Sequence, residues 1–160
     1  MRRKDREISD FSEIIALINK CDVCRLAMVD NGKPYIVPMN FGYSVSDNKV
    51  TLYFHCAAEG RKIDILKSNP AVCIEMDCEH LLITGDKACD YTMDFESLIC
   101  NGSVEFLENE DEKVVALTKF MQKYSDASTF EFDEKLLKHT TLFKVELSDL
   151  TGKRHKTLTH

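Results

Sequence analysis

The fold class predicted for this 160-residue chain is mainly β (α+β): a small antiparallel barrel of about six strands with peripheral helices. Strand-like runs between residues 25 and 55 follow one another through tight turns with no helix between them, which is an antiparallel pattern. Helical spacing is confined to the N-terminal part and to the linkers between strands. No glycine-rich dinucleotide fingerprint follows any strand, which argues against a parallel, doubly wound nicotinamide-binding sheet.

The first helix is expected over Asp10–Lys20, where Asp10 with Glu13 three residues on marks a start and Phe11, Ile14, Ile15 and Ile18 share a face. Arg25–Val29 then reads as a strand, Asn31-Gly32 as a two-residue hairpin turn, and Tyr35–Tyr43 as the returning strand. Pro38 cannot donate to a ladder, so this strand must run along an edge, bulge, or turn its backbone to something other than a neighbouring strand, such as a flat ligand. Ser46-Asp47-Asn48 is the next turn and Val50–His55 the next strand. A helix over Gly60–Ser68 buries Ile63 and Leu66 and stops before Asn69-Pro70, ahead of a strand at Ala71–Met76. Glu79–Met93 has no period and reads as a long excursion, whereas Phe95–Leu107 alternates as a strand with a bulge or bend at Gly102. Glu110–Tyr124 is helical, with a core stripe of Val114, Leu117, Met121 and Tyr124. A short helix at Asp133–His139 and a strand at Thr141–Leu147 close the chain, ahead of a basic tail.

Composition narrows the function classes. A formal net charge of −6 argues against a general nucleic-acid surface, which needs a concentrated excess of cations; Arg2-Arg3-Lys4 is interrupted by Asp5 and Glu7 and reads as a solvated arm. No apolar stretch approaches the roughly 20 residues needed to span a bilayer, and no signal-like segment follows the charged N-terminus, so a cytoplasmic protein without membrane partners is expected. Seven cysteines are an odd number, mostly within apolar runs, as befits reduced thiols. Cys21 and Cys24 have metal-like spacing without a second pair, so no metal site is assigned, and a zinc-stapled module ranks last.

The stretch Thr51–Leu66 carries the most chemistry. A β-branched and aromatic strand gives way to Ala57-Ala58, Gly60 permits a tight turn, and Arg61-Lys62 open a helix whose first N–H groups carry partial positive charge. The pattern suits a phosphate pocket. It equally suits a surface helix beginning with solvated cations, and the stretch alone leaves both open.

Several segments, taken together and in order, resemble the pyridoxamine 5'-phosphate oxidase-like flavin-binding split-barrel family, and within it the nitroimidazole-resistance branch. They are MRRKDREI at Met1–Ile8, YIVPMNFGY at Tyr35–Tyr43, LYFHCAAEGRK at Leu52–Lys62, FESLICNG at Phe95–Gly102 and LTGKR at Leu150–Arg154. The resemblance covers essentially the whole chain as one domain. It implies a six-stranded split barrel and a homodimer with one flavin mononucleotide (FMN) in each of two clefts between subunits. By this resemblance Arg61 and Lys62 hold the flavin phosphate, Val37, Pro38, Met39 and Asn40 line the isoalloxazine ring, and His55 and Cys56 contact the cofactor at a strand end. Ser97 falls where the opposite subunit reaches the phosphate region. Adjacent strand residues point to opposite faces, so only one of His55 and Cys56 can aim its side chain at the ring. The chain lacks the basic, tryptophan-containing C-terminal segment of the true oxidases and has no Trp, which separates it from vitamin B6 oxidation.

The expected function is an FMN-dependent oxidoreductase that passes electrons to a small flat acceptor such as a nitroaromatic, with His55 as cofactor contact or proton source. The alternative is a flavin or haem carrier or sensor that turns nothing over.

Overall fold

The computed structural model describes residues 2–157, and its main body is one open antiparallel sheet with helices around it. In chain order the elements are β1 (Glu7–Ile8), α1 (Phe11–Lys20), β2 (Cys24–Asp30), β3 (Lys33–Met39), β4 (Gly42–Ser46), β5 (Lys49–Ala57), α2 (Arg61–Ser68), β6 (Ala71–Ile83), β7 (Thr92–Leu107), α3 (Glu110–Tyr124), α4 (Glu134–His139) and β8 (Thr140–His155). The eight-stranded sheet runs β3-β2-β6-β7-β8-β5-β4, with β1 added to β8. It is the split barrel with peripheral helices that the sequence predicts.

Turn chemistry sets the hairpins. Asn31 and Gly32 join β2 to β3 with φ of 49° and 81°, and Asp47 and Asn48 join β4 to β5 with φ of 51° and 58°. These left-handed pairs match the twist of the strands they connect. β3 is the outermost strand and pairs only with β2, with Pro38 opposite Arg25, so the missing N–H groups of Pro34 and Pro38 fall on an edge. The expected strand Tyr35–Tyr43 divides at Asn40-Phe41 into β3 and β4, which lie at opposite edges of the sheet.

Where the sheet opens, side chains bridge the gap. The Tyr124 hydroxyl accepts from the Phe41 N–H at 3.1 Å and lies 2.8 Å from the Asp22 carbonyl. Lys123 donates to the carbonyls of Ile18 and Asn19 at 3.0 Å, closing the C-terminal end of α1. Tyr124 is thus a bridge rather than a core residue. The expected α3 stripe is corrected accordingly: Val114 and Tyr124 are 37% and 39% exposed, while Ala116 is fully buried. A Cβ on Gly42 would collide with the Phe120 backbone, and this close approach fixes which face of α3 meets β4.

Two further expectations change. Glu79–Met93 is mostly hairpin: β6 and β7 stay paired to Ile83 and Thr92 beyond a bulge at Glu79 (φ 60°) and His80. Leu81, Leu82 and Met93 are all exposed there, so burial does not alternate and the sequence shows no period. The basic tail continues β8 to His155 through a second bulge at Asp149 (φ 52°), opposite β7 near Gly102, where a Cβ would strike Val145.

The tail folds because its cations meet a buried acid. Glu96 is 1% exposed and accepts from Arg154 at 2.7 Å and Lys20 at 2.9 Å, with Lys156 at 3.4 Å. Burial pushes its pKa up, but these cations outweigh burial and hold it below the usual carboxylate value. Its contribution to stability is therefore present above the unfolded pKa and is lost as pH falls through the lowered folded value. Glu96→Gln removes the buried charge on which three cations converge, leaving Arg154 to Glu13 at 3.1 Å and Lys20 to Glu79 at 3.7 Å, and a loss of about 2–3 kcal/mol is expected, read as a fall in Tm of about 5–10 °C. No helix among the described residues is long and apolar enough to cross a membrane.

Candidate functional site

A cleft of about 530 Å³ opens where β3 ends, β5 ends and α2 begins, within the roughly 300–1,000 Å³ range of small-molecule pockets. Pro38, Met39 and Asn40 form one wall, His55, Cys56 and Ala57 a second, Lys62 a third, and His139 with Thr140 the fourth. These segments meet because β5 pairs with β8, putting Ala57 opposite Thr140. Six of the nine residues expected at the cofactor therefore line one cleft, namely Pro38, Met39, Asn40, His55, Cys56 and Lys62.

Along β3, Val37 and Met39 point into the core and Pro38 points out, as alternation requires. Met39 is 7% exposed, so its side chain belongs mainly to the core. Asn40 donates to the Asp22 carbonyl at 2.9 Å, which holds its amide at the cleft wall. On β5, Cys56 packs on the core side with its thiol pushed up by burial, although Lys62 opposes that shift. His55 takes the other face, its ring edge-on to Phe120 with centroids 4.5 Å apart. Burial lowers the His55 pKa below its usual 6.5, and the nearby Lys62 cation lowers it further, so the neutral imidazole dominates at pH 7.

The two cations at the start of α2 are not equivalent. Gly60 precedes the helix at φ 137°, a conformation open to glycine, and no side chain caps the end. Arg61 turns away from the cleft: its guanidinium donates to Asp30 at 2.9 and 3.1 Å and stacks 4.3 Å over Tyr35. Lys62 lines the cleft and, among the described residues, has no ion-pair partner. Ser97 lies mid-strand on β7 between Asp77 and Lys153, outside this cleft. Val37 likewise does not line it.

Three contributors are not visible in the sequence: His139, Thr140 and Phe120. His139 ends a short helix, and nothing local reports that this end meets Ala57, a contact set by strand register across some 80 residues. Phe120 lay outside the expected stripe. Cys21 and Cys24 are buried, and burial pushes both thiols up, Cys24 to about 12. Among the described residues, no three His, Cys, Asp or Glu side chains cluster as a metal site would require.

The family profile described as pyridoxamine 5'-phosphate oxidase matches residues 10–154. No curated protein gives a significant match. Among solved structures, a candidate 5-nitroimidazole antibiotic resistance protein from Bacteroides thetaiotaomicron is 37% identical, over 92% of this chain and 86% of its own, with a TM-score of 0.81. An FAD- and haem-binding protein from Mycobacterium smegmatis superposes with a TM-score of 0.83 at 15% identity, over 97% of this chain and 76% of its own. An FAD-binding protein from Mesorhizobium loti does so at 0.67 and 23% identity, over 94% and 98%. At those identities the latter two speak to the fold alone. Profile, fold and the 37% identical relative agree: this chain belongs to the pyridoxamine 5'-phosphate oxidase-like family of flavin-binding split barrels.

Proposed function

We infer that this protein binds FMN in the cleft beside Lys62 and reduces a small flat acceptor, with a nitroaromatic as the leading candidate. The observation that carries the reading is the junction itself, a helix start without a side-chain cap and a lysine with no ion pair among the described residues, facing a pocket that ends on the proline-bearing edge strand. Lys62 and the free N–H groups at the start of α2 suit a phosphate. Arg61, held by Asp30 and Tyr35, fixes the helix end and adds positive potential. The backbone at Pro38–Asn40 offers a flat wall for a ring system. Bound there, FMN would supply the electron transfer, and the protein's part is to orient the acceptor and place a proton.

Within one chain Ser97 is remote from Lys62, which suits a homodimer in which Ser97 serves the cleft of the partner subunit. His55 is the side chain placed to give a proton to the reduced acceptor, and only its cationic form carries one to spare. Acceptor reduction should therefore rise as pH falls through an inflection below 6.5, the value from which burial and Lys62 displace the imidazole. His55→Gln is expected to keep the cofactor and flatten that inflection, measured as acceptor reduction by the reduced holoprotein under anaerobic conditions. An unchanged profile would assign the proton to water.

A carrier or sensor reading has one observation in its favour. His55 and His139 line the same cleft, and imidazoles are the usual axial ligands of haem iron. Lys62 would then meet a haem propionate, which does not use the phosphate-binding character of the helix start beside it. A Soret band in the protein as purified supports this second reading, whereas turnover of a nitroaromatic supports the first.

A further inference from the structure

A second groove, of about 450 Å³, adjoins the cleft and shares Thr140 with it. Three lysines from three different helices converge on it: Lys67 of α2, Lys113 of α3 and Lys138 of α4. Thr140 and Thr141 of β8 line its floor, and Phe106 at the end of β7 gives it an apolar side. Glu108 stands on the rim as its acid.

The pairing state of these lysines is the informative observation. Acidic residues outnumber Lys and Arg by 27 to 21 in this chain, so carboxylates are plentiful. Lys20, Lys49, Lys144, Arg25, Arg61 and Arg154 each rest on one. Among the described residues, Lys67, Lys113 and Lys138 have no ion pair within 4.0 Å. Like charges gathered in one groove repel, and an anion seated between them relieves that repulsion. Ammonium groups act as point charges on phosphate oxygens, and threonine hydroxyls add directional donors.

We propose that the Lys67–Lys113–Lys138 groove is a second anion site, distinct from the one at Lys62, that takes the phosphate of a phosphorylated ligand. The ligand is either inorganic phosphate or pyrophosphate, or a nucleotide whose ring lies on Phe106. Because groove and cleft share Thr140 as a lining residue, a nucleotide held in the groove lies beside the cleft. The site stands on its own residues and does not depend on which cofactor the cleft holds.

The test is calorimetric titration of the protein as purified with pyrophosphate, with adenosine diphosphate and with adenosine, at low and high salt. It is run beside Lys67→Gln/Lys113→Gln/Lys138→Gln and the single Lys138→Gln. Expected are salt-sensitive binding of the two phosphorylated probes, loss of about tenfold or more in affinity in the triple variant, a partial loss in the single variant, and unchanged cofactor content. Tighter binding of the diphosphate than of pyrophosphate assigns the site to nucleotides, and equal binding assigns it to free phosphates. The proposal is overturned if wild type and triple variant bind pyrophosphate equally, or if adenosine binds as well as its diphosphate. It is also overturned if the triple variant purifies without cofactor, since the groove would then be the cofactor's own phosphate site.

Discussion

Lys62→Ala is expected to weaken FMN binding on the order of 10- to 100-fold, and Arg61→Ala by a smaller factor. A charge-assisted hydrogen bond is worth roughly 1.5–3 kcal/mol, and in this cleft only Lys62 of the pair is placed to make one directly. Arg61 is committed to Asp30 and to the face of Tyr35, so its loss acts by loosening the helix start and lowering the local potential. The double variant should elute from gel filtration without cofactor while keeping the fold, because both side chains sit at the surface end of α2. Equilibrium titration of each apoprotein with FMN separates the two contributions. Equal losses for the single variants would mean that Arg61 leaves Asp30 to join the phosphate. Unchanged affinity in all three would remove the phosphate from this helix altogether.

Gly42→Ala is expected to be the most disruptive of the small substitutions. A Cβ at this position would meet the Phe120 backbone, not the movable end of a side chain, so α3 must lift from β4. Overpacking of this kind costs about 2–3 kcal/mol, or a fall of about 5–10 °C in Tm for a chain of this length. The consequences reach the site through two contacts. Phe120 supports the His55 ring, and Tyr124 bridges Phe41 and Asp22 beside Asn40. Cofactor affinity should therefore fall along with stability, whereas Glu96→Gln, at a residue that does not line the cleft, should lower Tm with a smaller effect on the cofactor. A Gly42→Ala protein with the Tm of wild type would show that α3 shifts freely on the sheet.

The parts of the molecule that could be read from the sequence are those determined locally. Asp10 caps α1 by accepting from the Ser12 and Glu13 N–H groups, and Asn31-Gly32 and Asp47-Asn48 turn their hairpins as their chemistry demands. The missing donor of Pro38 left an edge, a bulge or a ligand-facing backbone open, and the strand proves to be an edge. Thr51–Leu66 announced a strand end, a glycine turn and a cationic helix start, and these meet at the cleft. What stayed hidden depends on partners distant in the chain. His139 and Thr140 reach the cleft only through the register of β5 on β8, and the tail extends β8 between β7 and β1, where Arg154 and Lys156 meet Glu96. Glu79–Met93 looked irregular because a hairpin exposed on both faces has no burial rhythm to display. The division of labour between Arg61 and Lys62 was equally out of reach, since it turns on Asp30 and Tyr35 from another hairpin.

Binding of FMN in the Lys62 cleft is tested most directly by the visible spectrum of the protein as purified, followed by identification of the cofactor released on denaturation. The expected result is an oxidised-flavin spectrum with FMN recovered at close to one per chain. A Soret band, release of FAD instead, or a colourless protein that takes up no added FMN would contradict it.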